Sequence, residues 1–249
     1  MKALYTGKNI IHLKEVHSTN RYTAEMLSNS VPITEGSVIM ADFQTAGKGQ
    51  SGAIWESLPK ENLLFSIYYR PHFLKIADQF MLSIAISLAI CDFLKDYVED
   101  VTIKWPNDIY VGNQKIAGIL IENSIQQDVI NSSIIGIGLN INQKVFSAQA
   151  ENACSLSQLT GLQYDLQQML QSLCKCIEER YDAIKIEDYQ SIRLAYLEKL
   201  FRFQHPANYR IKGEVQLGTI EGIDEIGRLE LSINGSMHYF NNKEITFII

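Results

Sequence analysis

Apolar and polar positions along the 249-residue chain follow two regimes, with a change near residue 203. Before it, short apolar runs alternate with longer stretches at helical spacing. Strands are predicted at Ile10 to Val16, Gly36 to Phe43, Asn62 to Tyr69, Asp108 to Val111, Lys115 to Glu122 and Val129 to Asn142. Helices are predicted after Ser18-Thr19, over Leu74 to Val98, in a short capped turn at Ser155 to Gly161, and over Tyr164 to Ile184 and Glu187 to Leu200. In the second of these, Phe80, Ile84, Leu88, Cys91 and Leu94 recur at the spacing of a core-packing face. After Phe203-Gln204-His205-Pro206 the period becomes two. Five short strands, Tyr209 to Lys212, Val215 to Ile223, Leu229 to Ile233, Met237 to Phe240 and Ile245 to Ile248, predict a small barrel. The expected units are therefore residues 1-203 and 204-249.

Composition narrows the class. The chain is 46% hydrophobic and 20% charged with a formal charge of −6, which lacks the basic footprint of a nucleic-acid binder. Met1 to Gly7 lacks the apolar core of a signal peptide, and the longest apolar run, Phe80 to Ile90, reads as too short to span a bilayer. Cys91, Cys154, Cys174 and Cys176 show no metal-binding spacing, and the five histidines are scattered. The expectation is a cytoplasmic, soluble protein with reduced thiols, no zinc, no membrane and no nucleic acid.

The chemistry concentrates in Lys104-Trp105-Pro106-Asn107-Asp108 and the following Lys115-Ile116-Ala117-Gly118-Ile119-Leu120-Ile121-Glu122. With turn residues Gly112-Asn113 between them, these read as a hairpin that carries an acid, Asp108, and a cation, Lys115, on paired strands. Such charges are either solvated or the fixed charges of a site for an anionic intermediate. Ser18 or Thr19 is a helix N-cap, or lines a pocket at a strand-to-helix junction. The stretch Gln44-Thr45-Ala46-Gly47-Lys48-Gly49-Gln50-Ser51-Gly52-Ala53-Ile54-Trp55 matches G-x-G-x-x-G literally, but a strand rather than a helix follows it, so the dinucleotide reading fails. What remains is a flexible loop able to cradle phosphate, with Trp55 either stacked on a base or packed underneath. Gly136 and Gly138, within Ile134 to Asn142, either make bulges or admit a ligand.

In this order and over nearly the whole chain, these motifs resemble the biotin protein ligase family. The resemblance implies a mixed α/β catalytic domain related to class II aminoacyl-tRNA synthetases, followed by an SH3-like C-terminal domain. It also implies two half-reactions: biotin and ATP give biotinyl-5′-AMP, and a lysine of a biotin carboxyl carrier protein then attacks the mixed anhydride. ATP and biotin are thus expected as substrates, with Mg2+ carried by the nucleotide and no dedicated metal ligand.

Carried over residue by residue, the resemblance makes Lys115 the cation that joins carboxylate and α-phosphate, and gives Asp108 a catalytic place in which it orients the nucleotide or the incoming lysine, or helps deprotonate that amine. It places Ser18, Thr19, Asn20, Gln44, Gly47, Lys48, Gly49, Gln50, Gly118, Leu120 and Gly136, with Lys115, around biotin. Ser18, Thr19 and Gln44 would serve the ureido ring, while Gly118, Leu120 and Gly136 shape apolar walls. Lys48, Gln50, Trp55, Asp108 and Lys115 would serve the nucleotide, and Asn107 and Asn140 would either contact it too or support the residues that do.

Two departures stand out. The family's loop usually reads G-R-G-R-x-G, whereas Gly47-Lys48-Gly49-Gln50-Ser51-Gly52 keeps one charge without the planar fork and loses the other. Some relatives carry an N-terminal helix-turn-helix domain, and too few residues precede Ser18 for one, so no DNA-binding function is expected. The rival readings are a lipoate ligase, against which stands the absence of any Gly-Gly pair, and a non-catalytic biotin-binding regulator. Monomer and homodimer both remain open.

Overall fold

The period-two runs before residue 203 build one seven-stranded sheet: β1 (Ile10–Leu13), β2 (Val38–Ala41), β3 (Leu63–Tyr69), β4 (Val101–Lys104), β5 (Asp108–Val111), β6 (Gln114–Gln126) and β7 (Val129–Leu139). The computed structural model describes residues 4–150, 152–186 and 188–249. Met1 to Ala3 of the amino-terminal stretch and Glu187, the expected start of a helix, lie outside them. The spatial order is β1-β2-β3-β7-β6-β5-β4, with β1 parallel to β2 and every other pair antiparallel. The sheet is therefore mixed, as expected. β3 and the middle of β7 are buried because both lie between neighbours and under helices.

The first two strands are shorter than their apolar runs. Gly36 adopts φ +81°, a turn conformation that keeps β2 from starting there. Val16 rejoins the sheet only through an isolated bridge to Gln44.

Five helices accompany this sheet: α1 (Thr19–Ser28), α2 (Phe80–Leu94), α3 (Leu156–Thr160), α4 (Leu166–Lys185) and α5 (Tyr189–Lys199). α2 is apolar on nearly all sides because the sheet, α4 and α5 surround it. It begins later than the predicted Leu74, which is buried in the connection, where its carbonyl accepts from the Ile130 amide. Contrary to the expectation from Phe80 to Ile90, the helical stretch Ile76–Leu94 is long and apolar enough to cross a membrane by length and composition. It is 61% buried inside the fold, as a core helix is. α3 has the predicted caps: Ser155 and Gln158 form a reciprocal capping box, and Gly161 closes it at φ 75°.

The C-terminal strands form a second, antiparallel sheet: β8 (Pro206–Ile211), β9 (Glu214–Ile223), β10 (Leu229–Ile233), β11 (Ser236–Phe240) and β12 (Ile245–Phe247), in the order β11-β10-β9-β8-β12. Tyr209, Ile220, Leu229 and Leu231 fill its interior. The Asn234-Gly235 turn has positive φ at both residues, as a tight hairpin requires.

This sheet is fastened directly to the end of β4. The Phe201 amide donates to Ile103 O at 2.8 Å, and the Trp105 indole N–H donates to Gly227 O at 2.9 Å. Any side chain at Gly227 would collide with the Phe80 ring. The Arg193 guanidinium donates to the Asp224 and Glu225 carbonyls. These ties bring β12 and the turn before it over the Lys104 to Asp108 segment.

Candidate active site

Two cavities open on one face of the mixed sheet, of about 330 Å³ and about 800 Å³. Gln44, Ile54, Trp55 and Lys115 line both, so they form a shared wall.

The hairpin predicted from sequence is present. Gly112, at φ +57°, turns β5 into β6, and Asp108 lies opposite Gly118 in the register. A register shift beside Tyr110 displaces Lys115 so that its Nζ reaches Asp108 Oδ1 at 2.6 Å. The Lys115 backbone is held at both ends, with its amide donating to Asn152 O and its carbonyl accepting from the Cys154 amide. Gly118 lies beside the ammonium, but the group that needs its missing side chain is the Trp55 ring, which a methyl there would approach to 2.9 Å.

A second ammonium stands nearby. Lys104 lines the first cavity, donates to the Tyr110 hydroxyl at 3.2 Å, and lies over the rings of Tyr110 and Phe247. Burial lowers its pKa, with the negative charge of Asp108 working the other way.

At the opposite end of the first cavity, α1 begins. Ser18 occupies the N-cap position but its side chain makes no capping bond. The Thr19 amide donates to Gln44 Oε1 at 2.7 Å. Asn20 reaches across the sheet, and its Nδ2 donates to Leu120 O and to Glu122 Oε2. Behind these residues, Ser66 Oγ lies within hydrogen-bond distance of both Thr19 and Asn20.

The glycines of β7 correct the expectation at that strand. Neither makes a bulge: Gly136 and Gly138 pair in regular register with both neighbours. The space above Gly136 is taken by the Asn20 amide, so Gly136 supports a polar group where an apolar wall was expected. The space above Gly138, and part of that above Gly118, is taken by the Trp55 indole.

The glycine loop is a tight irregular hairpin. Gly49 N donates to Ala53 O, Trp55 N donates to Gly47 O, and Lys48 bridges Ile54. A 3-10 turn over Gln50–Gly52 follows, and no α-helix opens there, which agrees with rejecting the dinucleotide motif. Gly47 is buried under the Trp55 backbone, and Gly49 lies against Ala53. Lys48 is exposed at the cavity rim. The Gln50 side chain accepts from Asn242 Nδ2, so the loop is joined to the turn before β12. Trp55 packs underneath, its Nε1 buried with no hydrogen-bond partner and its ring 5.5 Å from Lys115 Nζ.

Of the two asparagines assigned to a nucleotide, Asn107 lines the first cavity but commits its amide to Ile119 O at 2.8 Å. That bond fastens the Lys104 to Asp108 segment to β6 and makes Asn107 a brace. Asn140 lines the second cavity, where its Nδ2 donates to Cys154 O and its buried Oδ1 has no partner. An orphaned buried acceptor in a cavity is an attachment point for a ligand donor. The same cavity is edged by Phe146 and Ala148 to Ala150, a segment that Glu56 latches by accepting from the amide and hydroxyl of Ser147.

The structure thus gathers Ser18, Thr19, Asn20, Gln44, Lys48, Gly49, Gln50, Trp55, Asn107, Asp108, Lys115, Gly118, Leu120 and Gly136 around one cavity, and Gly47 and Asn140 around its neighbour. Sequence reasoning left out Ser66, Glu122, Lys104 and the C-terminal residues Asn242, Thr246 and Phe247. A serine inside an otherwise apolar strand, and a lysine opening an identified motif, were the available signals for two of them.

The sequence profile of the Biotin/lipoate A/B protein ligase family matches residues 13–140. The Bifunctional ligase/repressor BirA of Bacillus subtilis is 30% identical over 94% of this chain and 72% of its own length. The Biotin--[acetyl-CoA-carboxylase] ligase of Paracoccus denitrificans is 28% identical over 88% of this chain and 92% of its own length. Among solved structures, the biotin protein ligase from Aquifex aeolicus in complex with biotin and ATP superposes with a TM-score of 0.80 at 25% identity, covering 96% of this chain and 98% of that one. The match spans both sheets and the segments that build the two cavities, and the chain belongs to the biotin/lipoate A/B protein ligase family.

Proposed function

We propose that this chain is a biotin–protein ligase that activates biotin with ATP as biotinyl-5′-AMP and transfers it to a lysine of a biotin carboxyl carrier protein. The observation that carries this reading is Lys115 standing in the wall between the two cavities. Biotin in the first, its ureido ring at Ser18, Thr19 and Gln44, would direct its carboxylate toward that wall. The nucleotide in the second, its base near Asn140 Oδ1 and the Trp55 indole, would direct its α-phosphate toward it from the other side.

Two anions meet there only if a cation lies between them, and in a partly buried site such a charge acts strongly. The Lys115 ammonium supplies it, and Asp108 holds that ammonium in place before substrates arrive. The carboxylate then attacks the α-phosphorus and pyrophosphate leaves. Lys104 adds positive potential at the cavity end covered by Phe247. Magnesium bound to the triphosphate would supply positive charge at the leaving pyrophosphate, and no residue of this chain is assigned to hold it. In the second half-reaction the carrier's lysine attacks the activated carboxyl carbon and AMP leaves, and Asp108 is placed to accept a proton from that amine.

A carrier protein as partner, residues 204–249 as a separate unit, and action in the cytoplasm belong to the same reading. The four cysteines, all free thiols, support a reducing compartment.

The test is exchange of labelled pyrophosphate into ATP. Exchange that requires biotin, and is not supported by lipoate, is the expected result. Exchange with lipoate alone, or binding of biotin without exchange, would replace this reading with one of its rivals.

A further inference from the structure

The β6–β7 ladder ends at Ala117 opposite Leu139, just short of Lys115. On the β5 side, the register shifts between Ile109 and Tyr110, and Tyr110 is the residue paired with Lys115. Lys115 therefore has a register shift on one side and no β7 partner on the other. A strap takes the place that β7 leaves. Lys115 N donates to Asn152 O at 2.6 Å, and the Cys154 amide donates to Lys115 O at 2.9 Å, so that Ala153 bridges the lysine in parallel.

Asn140, the first residue after β7, stands across this junction. Its amide donates to Ile116 O at 2.9 Å, and its carbonyl accepts from the Leu156 amide at 3.1 Å. Its Nδ2 donates to Cys154 O at 3.0 Å. A carbonyl can only accept, so this contact fixes which way the side-chain amide faces. The nitrogen faces the strap, and Oδ1 is buried without a partner in a residue that lines the second cavity. The strap itself continues from the edge of that cavity, because Ala153 N donates to Ala150 O at 2.9 Å. One amide thus touches both the nucleotide's cavity and the backbone that holds the lysine.

We propose that Asn140 is a positioning residue for Lys115, and that its hold on the strap tightens when a nucleotide donor engages Oδ1. The inference rests on the ligase reading and adds to it a link between nucleotide occupancy and the cation in the cavity wall. A donor on Oδ1 restrains the side chain at its second end. It also polarises the amide, which strengthens the N–H bond to Cys154 O, since bonds in a chain reinforce one another. The lysine is then held most firmly when the nucleotide whose α-phosphate it serves is in place.

The test follows hydrogen exchange at the Lys115 and Cys154 amides of the full chain, with and without the α,β-methylene analogue of ATP, which binds without reacting. Wild type should gain about tenfold protection at both amides with the analogue, the worth of one firmer hydrogen bond. Asn140→Asp keeps the oxygen and removes the N–H, and Asn140→Leu has a similar shape without charge. Both should lose that gain. Both should also fall about tenfold or more in the kcat of biotin-dependent pyrophosphate exchange, with the KM for biotin within about threefold. A residue that only contacts the nucleotide would raise the KM for ATP and leave kcat and the two amides unchanged, and that result overturns the inference. Protection that the analogue fails to raise in wild type overturns it as well, whether or not the variants fold. Wild-type protein without biotin-dependent exchange would instead remove the functional reading beneath it.

Discussion

Asp108 Oδ1 stands 2.6 Å from Lys115 Nζ, and the two side chains are 20% and 31% exposed. A pair this accessible adds little to stability. Its consequence is positional, because the ammonium is held at the junction of two cavities by a group on a neighbouring strand. Asp108→Ala should lower the rate of adenylate formation about 100-fold, the effect of misplacing a reacting group by about an ångström. The KM for biotin should change less than about threefold, because the ureido end is untouched. Steady-state pyrophosphate exchange separates the two, and a large KM change with kcat preserved would count against this role.

The Trp55 indole lies on the backbone of Gly138 and Gly118. Gly138→Ala puts a methyl where the ring lies and should push the indole toward solvent. The expected readout is a red-shifted Trp55 emission and a KM for ATP raised about tenfold, in the range of one lost stacking contact. Trp105 is buried with its N–H on Gly227 O. A Trp55→Phe background shows whether the shift belongs to Trp55.

The hairpin and its charges were legible in the sequence because, apart from the hold of Asn152 and Cys154 on the Lys115 backbone, what places them is local. Asp108, the Gly112-Asn113 turn and Lys115 fix one another over a few residues. Ser66 was hidden by the same logic: inside an apolar strand it reads as a tolerated polar residue until Asn20 and Thr19 are brought against it from α1. The C-terminal contributions were hidden too. Nothing in the order of residues says that Asn242 meets Gln50 or that Phe247 covers Lys104, since both meetings depend on the Trp105–Gly227 and Phe201–Ile103 ties. The ends of α2 failed for a third reason, because Leu74 satisfies an apolar pattern equally well in a buried connection.

Burial lowers the pKa of Lys104, while the nearby Asp108 charge opposes the shift. Between that lowered value and the ordinary 10.5, the unfolded chain holds more protons than the folded one at this residue. Its contribution to stability therefore rises with pH across that window, being least favourable below it. The difference in unfolding free energy between wild type and Lys104→Met should show this slope. At neutral pH the methionine variant should unfold no more easily than wild type, yet form adenylate about tenfold more slowly. Equal adenylation rates would remove Lys104 from the chemistry.

Gln50 stands where a second loop arginine would bring another charge, and it accepts instead from Asn242. Gln50→Arg adds a cation able to hold phosphate through a charge-assisted bond of about 1.5–3 kcal/mol. Release of biotinyl-5′-AMP should slow about tenfold or more by the same measure. A chase of bound, labelled adenylate with unlabelled compound measures this, and an unchanged release rate would show that another cation already serves that phosphate.

The most direct measurement is biotin-dependent pyrophosphate exchange by Lys115→Ala, with the KM for biotin and the melting temperature followed alongside. The account predicts a fall in kcat of about 100- to 1,000-fold, the usual effect of removing one charge-stabilising donor, in a protein that still folds and still binds biotin. Exchange at the wild-type rate would contradict it.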